Sequence, residues 1–302
     1  MRLAIFTKNA INPAYAAARS GAERTARRLG AEVTHYVPQT PDDVAQQIAL
    51  IDEALAAKPD AFVFVPVHMT AVNDAIRRVL AAGIPVINCL NRLSIEGAVT
   101  FVGCDDYRLA QQVLQYLARH IDERGNIVLI QGPQSAVTSV DRMRGFHDAL
   151  KAYPGINVLA TLQGNYLEAP AASAMQAFLD TLKAPLDAVV AANDSMALGA
   201  IQALAARSVR VPVTGVNAIP AAIEAIEHGE LLATADFDAM KISCVATEAA
   251  IRHVRGENVP REIILPVQIV DRTNCAAWEG PMEARRCLDW DDLVGKFSGE
   301  KT

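Results

Sequence analysis

The chain has 302 residues, 51% of them hydrophobic, and carries a formal net charge of −6. That length suits two α/β domains of ordinary size, and the composition supplies a large core. No Lys/Arg block forms the basic footprint of a nucleic-acid binder, and no apolar run reaches membrane-spanning length.

The pattern opens on a strand, Leu3-Ala4-Ile5-Phe6, that ends at Lys8-Asn9-Ala10-Ile11-Asn12-Pro13. Met1-Arg2 runs straight into it, so either the protein is cytoplasmic or a leader has been removed and replaced by Met. Pro13 fits the first turn of an Ala-rich helix that Gly30 stops. Glu32 to Tyr36 is a second strand, and Asp42-Asp43 starts a helix to about Ala57. The run from Pro59 to Pro66 is a strand; His68-Met69-Thr70 opens a helix through Leu80; and Gly83 to Ile87 is the next strand, ending near Asn91. Val99 to Gly103 is a strand, followed by Asp105-Asp106 and a helix from about Tyr107 to His120.

The alternation then restarts. Gly125 to Ile130 is a strand, and the loop from Gln131 to Ser139 leads to a helix with Arg142. Val158 to Thr161 is a strand whose loop holds Gly164-Asn165-Tyr166, before a helix over 170–183. Ala188 to Ala192 reads as a strand buried on both faces. It stops at Asn193-Asp194-Ser195, where a helix begins with Met196, Leu198, Ile201 and Leu204 at helical spacing. Val209 to Val213 runs on to Asn217, and helix 220–228 is closed by Gly229. Leu232 to Phe237, helix 239–255 and a last strand, Ile263 to Val267, complete the pattern. The tail from Asp271 to Thr302 holds both Trp residues and few periodic signals.

One unit occurs twice. Asp60 corresponds to Asp187, Pro85 to Pro212 and Asn91 to Asn217 at nearly constant offset. This predicts two similar lobes with matched strand ends lining one cleft, because ligands of open α/β sheets bind at the carboxyl ends of the strands.

Several chemistries lack their signatures. There is no Gly-x-Gly-x-x-Gly after a strand, no phosphate-binding Gly-Lys-Ser/Thr loop and no Gly-x-Ser-x-Gly elbow. The His residues are dispersed and no Cys-x-x-Cys occurs, so no metal or cofactor is expected. Cys89, Cys104 and Cys244 lie in apolar contexts and are expected as buried thiols; Cys275 and Cys287 share the tail and form the candidate disulfide.

The strand ends gather Lys8, Asn9, Asn12, Tyr15, His68, Asn91, Arg92, Asp105, Arg142, Tyr166, Asn193, Asn217, Asp236 and Asp238. Amides both donate and accept, guanidinium groups donate in a fork, and a Tyr ring packs on the C–H face of a sugar. The set suits a polyhydroxylated ligand; many of its members also serve as helix caps and turn formers.

Asn12-Pro13 with Gly21-Ala22, Lys58-Pro59-Asp60-Ala61, Gly83-Ile84-Pro85-Val86, Asn91-Arg92, Gly103 with Asp105-Asp106, Arg142-Met-Arg-Gly-Phe146 and Asn193-Asp194-Ser-Met-Ala-Leu-Gly199 occur in this order. Together they resemble the type I periplasmic sugar-binding proteins, close to ribose-binding protein, from Leu3 to about Asn274. The resemblance implies an α/β fold of two Rossmann-like lobes with parallel sheets, three hinge crossings and a ligand cleft between the lobes. Strand breaks place those crossings near Gly103–Cys104, Phe237–Asp238 and Asp271–Arg272. The lobes are then residues 1–103 with 238–271, and 104–237 with 272–302. The ligand residues it implies are Asn12, Ala14 and Tyr15, then Asn91 and Arg92, then Arg142, Tyr166, Asn193 and Asn217, with a last contact at Phe237 or Asp236; Lys8 and Asn9 join them as strand-end residues. Ribose-binding proteins have Asp where this chain has Asn91 and Asn217, an aromatic where it has Ala14, and Gln where it has Phe237. The resemblance does not specify ribose itself, and the pocket is roomier near Ala14.

The function implied is a solute receptor of an ABC importer, not an enzyme, binding a monosaccharide, polyol or sugar derivative. Its partners are that small molecule (a sugar, polyol or sugar acid) and a membrane permease, with no nucleic acid; the protein is expected to be a periplasmic monomer whose leader has been removed. The alternative is the effector-binding domain of a lac-repressor-like regulator, which carries a headpiece before the first strand. A neutral ligand ranks ahead of an anionic one, because Asp105, Asp236 or Asp238 can neutralise Lys8, Arg92 and Arg142 from within the protein. Removing Arg142 is expected to weaken binding by about 2 kcal/mol or more with the fold intact.

Overall fold

Short apolar runs alternating with amphipathic stretches build two six-stranded sheets, each covered by helices. The computed structural model describes residues 1–287, Trp290 and Asp291. In chain order the first elements are β1 (Arg2–Phe6), α1 (Pro13–Leu29), β2 (Glu32–Tyr36), α2 (Val44–Ala56), β3 (Ala61–Phe64), α3 (Asn73–Ala81), β4 (Val86–Cys89) and β5 (Thr100–Gly103). Next come α4 (Asp106–His120), β6 (Arg124–Gln131), α5 (Val137–Leu150), β7 (Gly155–Gln163), α6 (Glu168–Thr181), β8 (Ala188–Ala191), α7 (Asp194–Ala205), β9 (Val213–Val216), α8 (Pro220–Glu227) and β10 (Ala233–Asp236). The chain continues through α9 (Ala239–Val254), β11 (Glu262–Ile264) and β12 (Gln268–Asp271).

The strand orders are β11-β5-β4-β3-β1-β2 and β12-β10-β9-β8-β6-β7. Over β5-β4-β3-β1-β2 and β10-β9-β8-β6-β7 they correspond position for position, so the repeat legible around Asp60 and Asp187 is a repeat of topology. The first sheet is parallel throughout. The second is parallel except for β12, which runs antiparallel on β10.

The chain divides into a first unit, Met1–Cys104 with Asp238–Pro266 and the described residues from Pro281 on, and a second unit, Asp105–Phe237 with Val267–Gly280. It therefore passes between units at four places rather than three. The single last strand expected over 263–267 is two short strands in different sheets. Leu265 donates its N–H to Gly103 beside β5, and Pro266, which has no N–H to give, follows immediately. Residues 267–271 thus belong with the second unit, and the tail from Pro281 returns to the first; both differ from the division expected.

Aromatic packing fills the first core: Phe6 stacks on Tyr36 and Phe62 at 5.0 Å and meets Phe64 edge-on at 5.2 Å. Each buried Phe contributes about 2–3 kcal/mol. The second core is aliphatic, with Ile127 to Ile130 and Val189-Val190 fully covered. Helix α1 approaches α9 so closely that a Cβ on Gly21 would lie 2.7 Å from the Met240 carbonyl oxygen. Any side chain there would push the helices apart.

The tail is strapped to this helical face. Arg24 donates to the carbonyls of Glu283 and Arg285 at 3.0 and 2.8 Å, and Met282 is buried. Cys287 forms its disulfide with Cys244 of α9, not with Cys275. The expected pairing fails because the chain changes units between the two tail cysteines: Cys275 is a free buried thiol in the second unit. The bridge spans 43 residues, which corresponds to about 4 kcal/mol of lost chain entropy in the unfolded state. Replacing Cys287 by Ser is expected to lower unfolding stability by about 2–4 kcal/mol. Urea denaturation with and without reductant checks this: reductant should shift the parent protein and leave the variant unmoved.

Candidate functional site

In the first unit the loop after β1 carries the first group of polar residues. Lys8 is 2% exposed and pairs with Asp42 at 3.2 Å. Asn9 accepts the Asn12 N–H, and Asn12 caps α1 by accepting from Ala14 N–H, both at 3.0 Å. Arg19 braces the loop through Thr7 Oγ1 and the Asn9 carbonyl. Ala14 is buried and Tyr15 half-buried in the first turn of α1. His68 does not open a helix: its Nδ1 accepts from Thr70 and Ala71, closing a turn before α3 starts at Asn73.

After β4 the buried Asn88 builds the turn that presents Asn91. Its amide donates to the carbonyls of Phe64 and Asn91 and accepts from Leu93 N–H. Leu90 takes a left-handed conformation, φ 62°. Asn91 is 5% exposed, and its side-chain amide makes no hydrogen bond among the described residues. Arg92 leans toward the sheet edge instead, where it pairs with Glu262 of β11 and lies 3.9 Å over the Phe101 ring.

In the second unit the structure brings Arg142, Tyr166, Asn193 and Phe237 together. Arg142 is 4% exposed. Its Nε donates to Asp106 at 2.7 Å and its Nη1 to the Ala192 carbonyl at 2.6 Å. The guanidinium carbon lies 5.9 Å from the Tyr166 ring centre and 5.6 Å from that of Phe237. Burial pushes the Asp106 carboxyl up, and the adjacent Arg142 charge pulls it back. Asp106 is the acid that the sequence pattern passed over. Its neighbour Asp105 caps α4 and pairs with Arg108.

Asn165 and Tyr166 both have positive φ, 54° and 62°. Asn193 holds this turn by donating to the Tyr166 carbonyl at 3.0 Å, while its oxygen caps α7 at Met196. Gly132 makes room for the ring: a Cβ there would lie 2.5 Å from it. The Tyr166 hydroxyl meets Thr138 Oγ1 at 3.1 Å, and burial raises its pKa.

Asn217 ends the next strand with φ 124° and a side-chain amide that makes no hydrogen bond among the described residues. Its loop is held by Asp194, which is fully buried and accepts from Thr234 Oγ1 at 2.6 Å and Ile219 N–H at 3.0 Å. Thr234 in turn accepts from Ala218 N–H. Asp236 ends β10 and accepts from the indole N–H of Trp278 at 2.6 Å. Asp238, in the first unit, caps α9 and pairs with Lys241.

Sequence spacing could not reveal Asn88, Asp106, Asp194 or Trp278 as site builders, because each works through a partner remote in the chain or hidden behind a cap signal. Among the described residues no group of three His, Cys, Asp or Glu side chains can hold a metal.

Residues 3–258 match the family described as Periplasmic binding protein domain. The chain is 30% identical over 240 residues to the D-ribose/D-allose-binding protein of Pseudomonas aeruginosa, covering 76% of this chain and 75% of that protein. It is 28% identical over 251 residues to the xylitol-binding protein of Mycolicibacterium smegmatis, covering 82% and 72%. A solved ABC transporter periplasmic solute binding protein from Actinobacillus succinogenes with bound D-allose matches with a TM-score of 0.87 and 26% identity, over 91% of this chain and 99% of that one.

Two outcomes follow from the buried carboxylates. Arg142→Ala leaves Asp106 buried beside no guanidinium, so the fold does not stay untouched; about 3–5 kcal/mol of stability is lost, and Asp106→Ala in the same chain restores part of it. Urea titrations of the two variants decide this. Asp194 has its carboxyl pushed up to about 6 by burial, against the hydrogen bonds from Thr234 and Ile219. Between the ordinary carboxylate value near 4 and 6 the folded state holds a proton that the unfolded state has lost, so this group makes stability fall as pH rises through that window. The change is about 3 kcal/mol. Asp194→Asn removes this contribution; the stability difference between variant and parent should shift by that amount from pH 4 to 7, and a constant difference would contradict it.

Proposed function

Because the chain belongs to the periplasmic binding protein domain family, we propose that it is the solute receptor of an ABC importer, binding a neutral sugar or polyol without chemical change. The observation that carries the ligand class is the pairing of the cations. Each of the three considered for an anionic ligand has a carboxylate inside its own unit: Lys8 has Asp42, Arg92 has Glu262 and Arg142 has Asp106. None of these is the acid expected to neutralise it. Asp105, Asp236 and Asp238 are engaged with Arg108, Trp278 and Lys241. A carboxylate ligand would compete with those internal partners, whereas a neutral polyhydroxylated one uses the same groups as dipoles and donors.

The amides of Asn91 and Asn217 support the same reading. They end equivalent strands, are buried, and make no hydrogen bond among the described residues. An amide both donates and accepts, as a hydroxyl does, so each of these side chains can pair with a ligand hydroxyl in either direction. In this reading Asn12, Tyr15 and Asn91 of the first unit and Arg142, Tyr166, Asn217, Asp236 and Phe237 of the second contact the ligand. Lys8, Asn9 and Asn193 shape their loops, and Arg92 stays on the rim. The partner is a membrane permease, the protein acts as a monomer, and the compartment is the periplasm; the Cys244–Cys287 disulfide supports an oxidising location.

Calorimetric titration with a matched pair, an aldose and its aldonate, tests the charge reading. The aldose is expected to bind at least tenfold tighter with little salt dependence; tighter, salt-sensitive binding of the aldonate would reverse it. Recovery of the aldose unchanged after incubation is the expected outcome of product analysis, and its consumption would sink the receptor reading.

A further inference from the structure

The tail after Asn274 has no role in the sequence pattern, yet it delivers an indole N–H to a strand end. We propose that Trp278 is a positioning residue for the ligand site: it holds the Asp236 carboxylate as an acceptor for a ligand hydroxyl. The proposal rests on the reading of this chain as a sugar or polyol receptor.

Asp236 is 5% exposed at the carboxyl end of β10, beside the strand that ends at Asn217. The Asn217 N–H donates to the Ala235 carbonyl, so the two strand ends are held in register. The next residue, Phe237, presents its ring to Arg142. Asp236 therefore sits among the side chains assigned to the ligand. Trp278 Nε1 to Asp236 Oδ2 is 2.6 Å, the length of a charge-assisted hydrogen bond.

Indole can only donate. A Ser, Thr or Asn in its place could donate or accept and would leave the rotation of the carboxyl open. A donor-only partner holds an acceptor, so the carboxylate is turned one way and meets a ligand hydroxyl as an acceptor as well. A sugar hydroxyl meeting it must donate its proton, which sets the direction of one hydrogen bond.

Trp278 is itself built in. After β12, Asn274 accepts from Asp271 N–H and donates to the Ile269 carbonyl, tightening the return. Tyr116 of α4 donates to Asp271 at 2.7 Å and anchors the same turn. A 3-10 turn, Cys275–Trp278, whose first residue is buried, carries the indole beside Pro220 and Ile223 at the start of α8. These contacts hold the turn that carries the ring, as a positioning group requires.

The test is a double-mutant cycle read by calorimetry. The parent protein is titrated with xylitol, D-ribose and D-allose, and the tightest binder is carried forward. Trp278→Phe, which keeps a ring and removes the donor, is expected to weaken binding at least fivefold. Asp236→Asn should weaken it more, and the double variant should bind no worse than Asp236→Asn alone, because Trp278 acts through Asp236. Equal affinity of Trp278→Phe and parent, or losses that multiply in the double variant, would overturn the proposal. If Trp278→Phe does not fold, benzothienylalanine at 278, which keeps the bicyclic shape without the N–H, replaces it under the same criteria. A parent protein that binds none of the three probes overturns the receptor reading and this proposal with it; binding by the parent with no effect at 278 overturns this proposal alone.

Discussion

A guanidinium buried to 4% exposure must be surrounded by acceptors, and that requirement organises the second unit. Arg142 reaches from α5 to Asp106 at the start of α4 and to the Ala192 carbonyl at the end of β8. The rings of Tyr166 and Phe237 flank it from two further strand ends. One cation thus ties the ends of four elements into one polar surface. Such a pair adds little net stability over a well-packed apolar substitute, while losing one member is costly. Its value here is geometric: donors and rings are held in place without a ligand, which lowers the cost of ordering them on binding.

The amides at the strand ends divide into two kinds by their hydrogen bonds. Asn12 and Asn193 spend their oxygens on helix caps, and Asn193 spends its nitrogen on the Tyr166 carbonyl. Asn88 closes the turn at Asn91. Asn91 and Asn217 make no such bonds among the described residues. The first kind shapes the loops; the second kind is what they present. The positive φ values at Leu90, Tyr166, Asn217 and Ala218 fall in these same loops. Such conformations persist where surrounding bonds over-determine them, and here Asn88, Asn193, Asp194 and Thr234 provide those bonds.

The tail serves the two units in different ways. Its first part, ending at Trp278, completes the edge of the second sheet and holds Asp236. Its second part lies on α1 and α9 of the first unit, fixed by Arg24, Met282 and the disulfide. Pro266 and Gly280 mark the places where the chain changes units in this region.

The sequence by itself determined the α/β class, the doubled unit and the line of polar strand ends. These rest on local signals: apolar runs too short for helices, helical spacing after them, and caps such as Asn12, Asp43, Asp105 and Asn193. Tertiary structure alone decided the partners. Asp105 and Asp106 are equal candidates in the sequence, but successive residues of a helix turn about 100°, so one caps α4 while the other faces Arg142. The same holds for the cysteines. Cys275 and Cys287 are close in sequence, but a change of unit lies between them, and Cys287 meets Cys244 instead. The direction of β12 was hidden for a like reason, since an apolar run has the same pattern in either orientation and only the path before it, turned at Pro266, sets which sheet it joins and which way it runs.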